Sequence, residues 1–340
     1  MERITMAHGS GGEETGRLIE RIFAAEFANP YLQQMEDSTT VPGGDGRELA
    51  MTTDSFVVTP VEYPGGDIGR LCVCGTVNDL LMSGAQPAYL TCGFILEEGL
   101  PVEQLQRIVH SLAETAREAG VCVVAGDTKV VENHSGPDGG VIINTAGVGF
   151  LPKGQKPLSP KDIAAGDAVI VSGNLGDHHA AILGKRLNLD NPIQSDQAPL
   201  GEMVRALFAA GVHVHELRDV TRGGLATVLN EFAAASGKLI TLEEAALPVS
   251  EKVQAFCGIL GLDPLYMGNE GKLVCFVPAG EKEAALAAVR GSRYGKDAAC
   301  VGVVSECSRQ EEKPCVLIHT RVGGRRVVGP LFGEGLPRIC

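Results

Sequence analysis

The chain has no tryptophan, and aromatic residues make up only 4% of it. Stacking platforms for single-stranded nucleic acid are therefore poorly supplied. Basic residues are also scarce: 29 Lys and Arg stand against 42 Asp and Glu, a net charge of −13 that repels phosphate backbones and anionic membranes. No apolar run approaches the roughly 18 residues of a membrane span. The first residues, Met1 to His8, lack the apolar core of a secretory signal. The ten cysteines are scattered, and the tightest pair, Cys72 and Cys74, is C-x-C without a second pair, which argues against a structural zinc site or a disulfide framework. Free thiols in a reducing cytoplasm are expected. Nucleotide fingerprints are missing too. No Gly-Lys is followed by Ser or Thr, and no G-x-G-x-x-G follows a strand pattern.

What is present is length for two domains: 340 residues, 44% of them hydrophobic, with 44 glycines that follow no repeat and so mark turns and backbone-lined sites. An apolar stripe of Leu18, Ile19, Ile22, Phe23 and Phe27 predicts a helix over 13–28, with Ser10 and Glu13 as its capping box. A strand is expected at 48–58, a helix at 66–83 and a strand at 89–96. A helix opens at Pro101 and closes at Gly120. Val121–Ala125 and Val141–Phe150 have the composition of buried strands. The Pro-, Gly- and Lys-rich segment Leu151–Pro160 is the best linker. Beyond it, strands are expected at 168–172, 239–242, 273–277 and 299–304, with helices near 175–187, 199–210 and 223–236. The mixture lacks strict βα alternation, so the expected class is two α+β domains, over 1–150 and 151–326. A flexible tail over 327–340 is expected to follow, ending in Cys340. Such a tail could carry its thiol roughly 40 Å.

The chemistry-bearing residues are carboxylates at the ends of apolar segments. Asp54 closes Leu49–Thr53, Asp79 sits among leucines in Gly75–Ala85 where a charge needs a partner, Asp127 ends Val121–Gly126, and Asp37 lies upstream. Strand-end carboxylates converging on one edge suit Mg²⁺, which takes hard oxygen ligands and bridges phosphates. The loop His8-Gly9-Ser10-Gly11-Gly12 precedes a helix, where backbone N–H groups favour an anion. Lys129 lies two residues after Asp127 and so faces the same side of an extended segment, placed to neutralise a phosphate or move a proton. Arg218–Leu225 again sets an acid and glycines before a helix, and Glu270 stands just before a strand.

Taken together, His8–Gly12, Thr52–Phe56, Asn78–Pro87, Ala125–Lys129, Asp219–Leu225, Asn269–Gly271 and the terminal Pro337–Cys340 resemble the HypE family of hydrogenase maturation proteins. That family is a branch of the ATP-binding superfamily of aminoimidazole ribonucleotide synthetase, thiamine-monophosphate kinase and selenophosphate synthetase. The resemblance covers essentially the whole chain. It implies an N-terminal ATP-binding domain that dimerises through strands, and a C-terminal α/β domain closing over the cleft. It also implies ATP and Mg²⁺ as cofactors, with His8, Gly9, Ser10, Gly11, Gly12, Asp54, Asn78, Asp79 and Asp127 at the nucleotide and Asp37, Asp54, Asp79 and Asp127 at the metal. In such proteins the terminal cysteine, here Cys340, receives a carbamoyl group from a HypF-type carbamoyltransferase. ATP drives its dehydration to a thiocyanate, and the cyano group passes to iron on a HypC–HypD complex. Lys129 and Glu270 are then the candidates for proton transfer and charge stabilisation, Glu270 being the more natural base.

Two other readings stand beside this one. Another ATP-dependent kinase or synthetase of the superfamily would leave Cys340 idle, and a non-catalytic scaffold would use it only as a thiol handle. The thiol also has a handicap, since its own α-carboxylate raises its pKa and Arg338 offsets this only in part. Its activation is expected to depend on a partner's environment.

Overall fold

A computed structural model describes residues 4–5, 13–24, 29, 37–44, 47–136, 139–307, 313–331 and 340. The N-terminal half is one five-stranded sheet with helices on one face. Its strands are β1 (Thr39–Gly43), β2 (Arg47–Phe56), β5 (Gln86–Glu97), β6 (Cys122–Val131) and β7 (Val141–Phe150), in the order β1-β2-β7-β5-β6. A small hairpin, β3 (Glu62–Tyr63) with β4 (Gly66–Asp67), leads into α2 (Ile68–Met82). Only β5 and β6 run parallel, because α3 (Val102–Ala119) carries the chain across between them. Gly120 ends α3 in the left-handed conformation. The helix expected over 13–28 is α1 (Glu13–Leu18), continued as a π-turn over Ile19–Ala24, and its last four residues lie outside the described ones.

Helix α2 is buried at nearly every position and carries apolar residues on every side, as suits a helix wedged between layers. One side packs on β2 and β7, another on α3, and a third on the C-terminal half. Asp67 caps it by accepting the Arg70 N–H at 2.8 Å. Residues 151–159 form no helix or strand before a short 3₁₀ turn at Pro160–Asp162.

The C-terminal half is a seven-stranded sheet in the order β14-β13-β10-β12-β8-β11-β9. The strands are β8 (Asp167–Val171), β9 (Glu216–Asp219), β10 (Leu239–Glu243), β11 (Leu273–Pro278), β12 (Ala299–Ser305), β13 (Cys315–His319) and β14 (Arg325–Val328). Among the described residues, five α-helices accompany it: α4 (Asp177–Arg186), α5 (Gly201–Ala209), α6 (Gly224–Ser236), α7 (Glu251–Leu260) and α8 (Lys282–Arg290). Hydrophobic residues of both halves, among them Leu71, Val77, Ile170, Leu207 and Leu217, belong to one continuous core. No helix among the described residues is long and apolar enough to cross a membrane.

Two expectations change. The segment from Val121 was expected to be a buried strand, but β6 is the sheet edge and every one of its ten residues is exposed. Apolar composition alone does not distinguish a covered strand from an uncovered edge. The tail was expected to leave at 327, yet Val327 and Val328 pair with β13, and Val328 is fully buried in the C-terminal core. Chain departure therefore comes after Val328. Residues 332–339 of the expected tail lie outside the described residues.

Candidate active site

The site forms where α2 lies between β2 and β9. Along β2 the pleat turns Ala50, Thr52, Asp54 and Phe56 toward α2 and the odd-numbered residues outward. On α2, Gly75 and Asp79 are one turn apart and face β2. A Cβ at position 75 would come within 2.8 Å of the Phe56 ring, so glycine permits this close helix–strand approach. Asp79 is then held by Thr52, whose hydroxyl lies 3.0 Å from Asp79 Oδ2 and 3.0 Å from the Asp37 carbonyl. Strand β9 packs on α2 and ends in Asp219. Asp37, Asp79 and Asp219 each offer a carboxylate oxygen, all within 4.8 Å of one another.

These acids line a cavity of about 460 Å³, a size ordinary for small-molecule sites, which run from about 300 to 1,000 Å³. Asp54 and Glu270 line it too, as do Thr221 and Arg222 from the turn before α6. Its remaining notable wall residue is Cys340, the last of the chain, only 5% exposed. Arg222 Nη1 donates to Cys340 Sγ at 2.9 Å. Glu270 is placed by the turn before β11. Its neighbour Asn269, fully buried, accepts the Gly176 N–H at 2.7 Å and donates to the Val220 and Met267 carbonyls. Gly271 lies so close to Asp196 that a Cβ would meet the Asp196 carbonyl at 1.9 Å.

Electrostatics follow from this crowding. Burial pushes the Asp79, Asp219 and Glu270 carboxyls well above the ordinary carboxylate range, and the neighbouring acids push them further. Asp37 is raised by burial against the pull of Arg218, whose Nε lies 2.7 Å from Asp37 Oδ1. Asp54 is likewise raised by burial and partly relieved by Arg222. Asp37 Oδ2 is buried without a hydrogen-bond partner. Clustered hard-oxygen donors, one of them unsatisfied, fit a divalent cation such as Mg²⁺. Burial pushes the Cys340 thiol up to about 11, although the Arg222 guanidinium pulls the other way.

The structure brings Asp37, Asp54, Asp79, Glu270 and Cys340 together, but not the others. His8, Gly9, Ser10, Gly11 and Gly12 lie outside the described residues. Asn78 does not line the cavity. One residue before Asp79, it points to another flank of α2, where its amide donates to the Ala198 carbonyl at 3.0 Å and accepts the Leu200 N–H at 2.9 Å. Asp127 and Lys129 pair with each other, exposed, on β6. Asp54, Thr145, Cys92 and Gly126 form one row across the sheet, so Asp127 is separated from Asp54 by three strand spacings, roughly 14 Å. Alternation also turns Asp127 and Lys129 to the face opposite α2, since Thr145 and Cys92 of that row are buried against it. Within one chain, Asp219 takes the third place in the acid cluster expected for Asp127. Its signal in the sequence was an acid two residues ahead of Thr221-Arg222-Gly223-Gly224.

The two-domain α+β fold is that of the AIR synthase related proteins. The family model of their N-terminal domain matches residues 35–151, and that of their C-terminal domain matches residues 164–313. Carbamoyl dehydratase HypE of Cupriavidus necator is 48% identical over 340 residues, covering 99% of this chain and 95% of the relative. A crystal structure of a HypE–HypF complex superposes with a TM-score of 0.85 at 46% identity, over 92% of this chain and 99% of that one. HypE in complex with ATP gives a TM-score of 0.82 at 44% identity, over 99% and 100%. The chain belongs to the HypE family of hydrogenase maturation proteins, and it is an enzyme of the dehydratase type.

Proposed function

We propose that the protein uses ATP to dehydrate an S-carbamoyl group carried on Cys340 to an S-cyano group, the source of a cyanide ligand for a [NiFe]-hydrogenase iron centre. The observation that carries this reading is the location of the terminal sulfur, inside the acid-lined cavity and beside Arg222 and Glu270. The HypE structures solved with ATP and with HypF support it from the side of the relatives.

The carboxamide oxygen attacks the γ-phosphorus, an O–P bond forms, the bridge to ADP breaks, and one N–H proton is lost. Removal of the second N–H proton then expels the oxygen as phosphate and leaves S–C≡N. A carboxamide oxygen is a poor leaving group, which is why ATP is consumed. Glu270 suits the first proton removal, since burial raises its carboxyl above the ordinary range and so strengthens it as a base, and the second proton leaves with the departing phosphate. Mg²⁺, when bound, would screen the phosphate charges, and Asp37, Asp79 and Asp219 would hold it with Asp54 alongside. The cavity wall shields the reacting carbon from water, which would otherwise hydrolyse an activated carboxamide.

The donor is taken to be a HypF-type carbamoyltransferase and the acceptor a HypC–HypD complex. A homodimer is also part of the proposal. A ten-residue edge strand with Val124 58% and Val130 69% exposed is a liability unless covered. A second copy pairing there would carry Asp127 and Lys129 into the interface, where they could serve a neighbouring site. Val130→Asp should then shift sedimentation velocity from dimer to monomer. All ten cysteines are free thiols, in keeping with a cytoplasmic protein.

The decisive test is mass spectrometry of the C-terminal peptide after exposure of the full chain to a carbamoyl donor and Mg-ATP. A carbamoyl adduct that loses water only with ATP is expected. An unmodified Cys340 in the presence of a competent donor would sink the proposal. Tail deletion without effect on turnover would favour a small-molecule kinase instead, and ATP turnover indifferent to the state of Cys340 would favour a thiol scaffold.

A further inference from the structure

We infer that Arg222 is a catalytic residue of the phosphoryl-transfer step, an arginine supplied within the chain that carries the negative charge developing between the γ-phosphate and the carboxamide oxygen. The inference rests on the proposed dehydration of an S-carbamoyl Cys340.

Three observations lead to it. Among the described residues that line the cavity, Arg222 is the one basic side chain, set against Asp37, Asp54, Asp79, Asp219 and Glu270. Arg218, four residues earlier on β9, is occupied by carboxylates, Asp37 at 2.7 Å and Glu231 at 3.0 Å. Arg222 Nη1 instead reaches the sulfur that bears the substrate, at 2.9 Å. A carbamoyl oxygen stands two bonds beyond that sulfur, and the guanidinium presents several N–H donors in a rigid fork. One arm on the sulfur side leaves others free to meet the oxygen and the phosphoryl group it receives.

Charge decides why such a residue is needed. Bringing a triphosphate into a cavity with five acids raises local negative charge at the moment when the oxygen and phosphorus approach. Arg222 stays cationic throughout, since the acids and the sulfur around it hold its pKa up. It moves no proton and forms no covalent bond. The proton from the carboxamide still goes to the base, and ADP still departs with the bridge oxygen. Position matters as well: Arg222 lies in the turn between β9 and α6, immediately before Gly223 and Gly224, both in left-handed conformation. That turn is tied to the Asp219 end of β9, so the arginine and the acid cluster are fixed relative to each other.

The test uses the full-length protein already carbamoylated on Cys340, with the rate of water loss followed by mass spectrometry in single turnover. For Arg222→Gln the rate at saturating Mg-ATP should fall by about 10³-fold or more, the range found for arginines in this role. The apparent ATP affinity should change far less. Arg222→Ala should regain part of its rate when guanidinium ion is added below denaturing concentration, which a merely structural arginine would not show. A rate for Arg222→Gln within a few-fold of the parent would overturn the inference. So would a loss confined to ATP affinity, or a slow Arg222→Ala protein that guanidinium leaves slow. If the parent protein itself loses no water with ATP, the dehydration reading fails first, and the two failures are distinguishable.

Discussion

Asp219→Asn should make the metal-free protein more stable while weakening its response to Mg²⁺. Asp37, Asp79 and Asp219 place carboxylate oxygens within 4.8 Å of one another. At an effective dielectric of about 20, two full charges at that distance repel by about 3.5 kcal/mol. Asp219 has two such neighbours, so full ionisation would be very costly. The cluster escapes part of that cost by holding protons, as its raised pKa values show. A net gain of about 1–3 kcal/mol on neutralising Asp219 is therefore reasonable, or roughly 1.5–4 °C in Tm for a chain of this size. The sign with pH follows from proton binding. Because the folded carboxyls hold protons that the unfolded ones release, metal-free stability falls as pH rises above the ordinary carboxylate pKa and through the folded values. The variant should show a shallower fall. Mg²⁺ stabilises whichever form binds it, by RT ln(1 + [L]/Kd), and the variant should gain less. Thermal unfolding at about pH 8, with chelator and then with excess Mg²⁺, measures both. An Asp219→Asn protein that is less stable without metal, yet keeps the full Mg²⁺-induced rise, would refute this account of the acid cluster.

Other outcomes follow from the same geometry. Glu270→Gln should slow water loss from carbamoyl-Cys340 by about 10²–10⁴-fold while carbamoylation proceeds normally; full dehydration would remove Glu270 as the base. The docked Cys340 thiol, with its pKa near 11, should alkylate with a rate that keeps rising toward that pH, read on the C-terminal peptide in metal-free protein. An inflection below the ordinary thiol value would contradict the docked state. His179 is buried with Nε2 unpaired and its pKa lowered to about 3, chiefly by burial. Since the unfolded imidazole takes a proton first, stability should be full above about pH 6.5 and fall by roughly 4–5 kcal/mol as pH drops toward 3. Urea unfolding of His179→Asn should show a flatter acid limb.

Much of this site could be read from residues, and the failures have a common cause. Asp79 announced itself because a charge among leucines on a helix needs a reason, and Asp54 because it closes an apolar strand. Asp127 has the same local pattern, and nothing near it in sequence reveals that α3 sends β6 to the far edge of the sheet. Sheet order is a long-range property. Asn78 and Asp79 are neighbours in the chain but not on the helix surface, and only the packing of α2 shows which one faces the cavity. Asp219 and Arg222 looked like a repeat of an acid-and-glycine turn, yet their value comes from β9 lying against α2. The thiol was expected to have a raised pKa because of its own carboxylate and to be offset by Arg338. Arg338 lies outside the described residues; among those described, burial raises the thiol most and Arg222, 118 positions earlier, opposes it. Helix α3 was legible from its periodicity, whereas α7 and α8 were missed, as were β1, β3, β4, β9, β13 and β14, short strands that carry too few residues for a pattern.

The seam between the halves has a consequence of its own. The two sheets share one core across α2, and Asn78 ties that helix to Ala198 and Leu200 on the other side. A molecule joined this way is a block and not a pair of jaws, because opening it would expose apolar surface and break satisfied amide bonds. Small substrates are usually captured by a protein that closes around them. Under the proposed chemistry the substrate is instead carried on Cys340, a residue of the same chain. Its local concentration would then be that of a group within one molecule, independent of how much of it the cell contains.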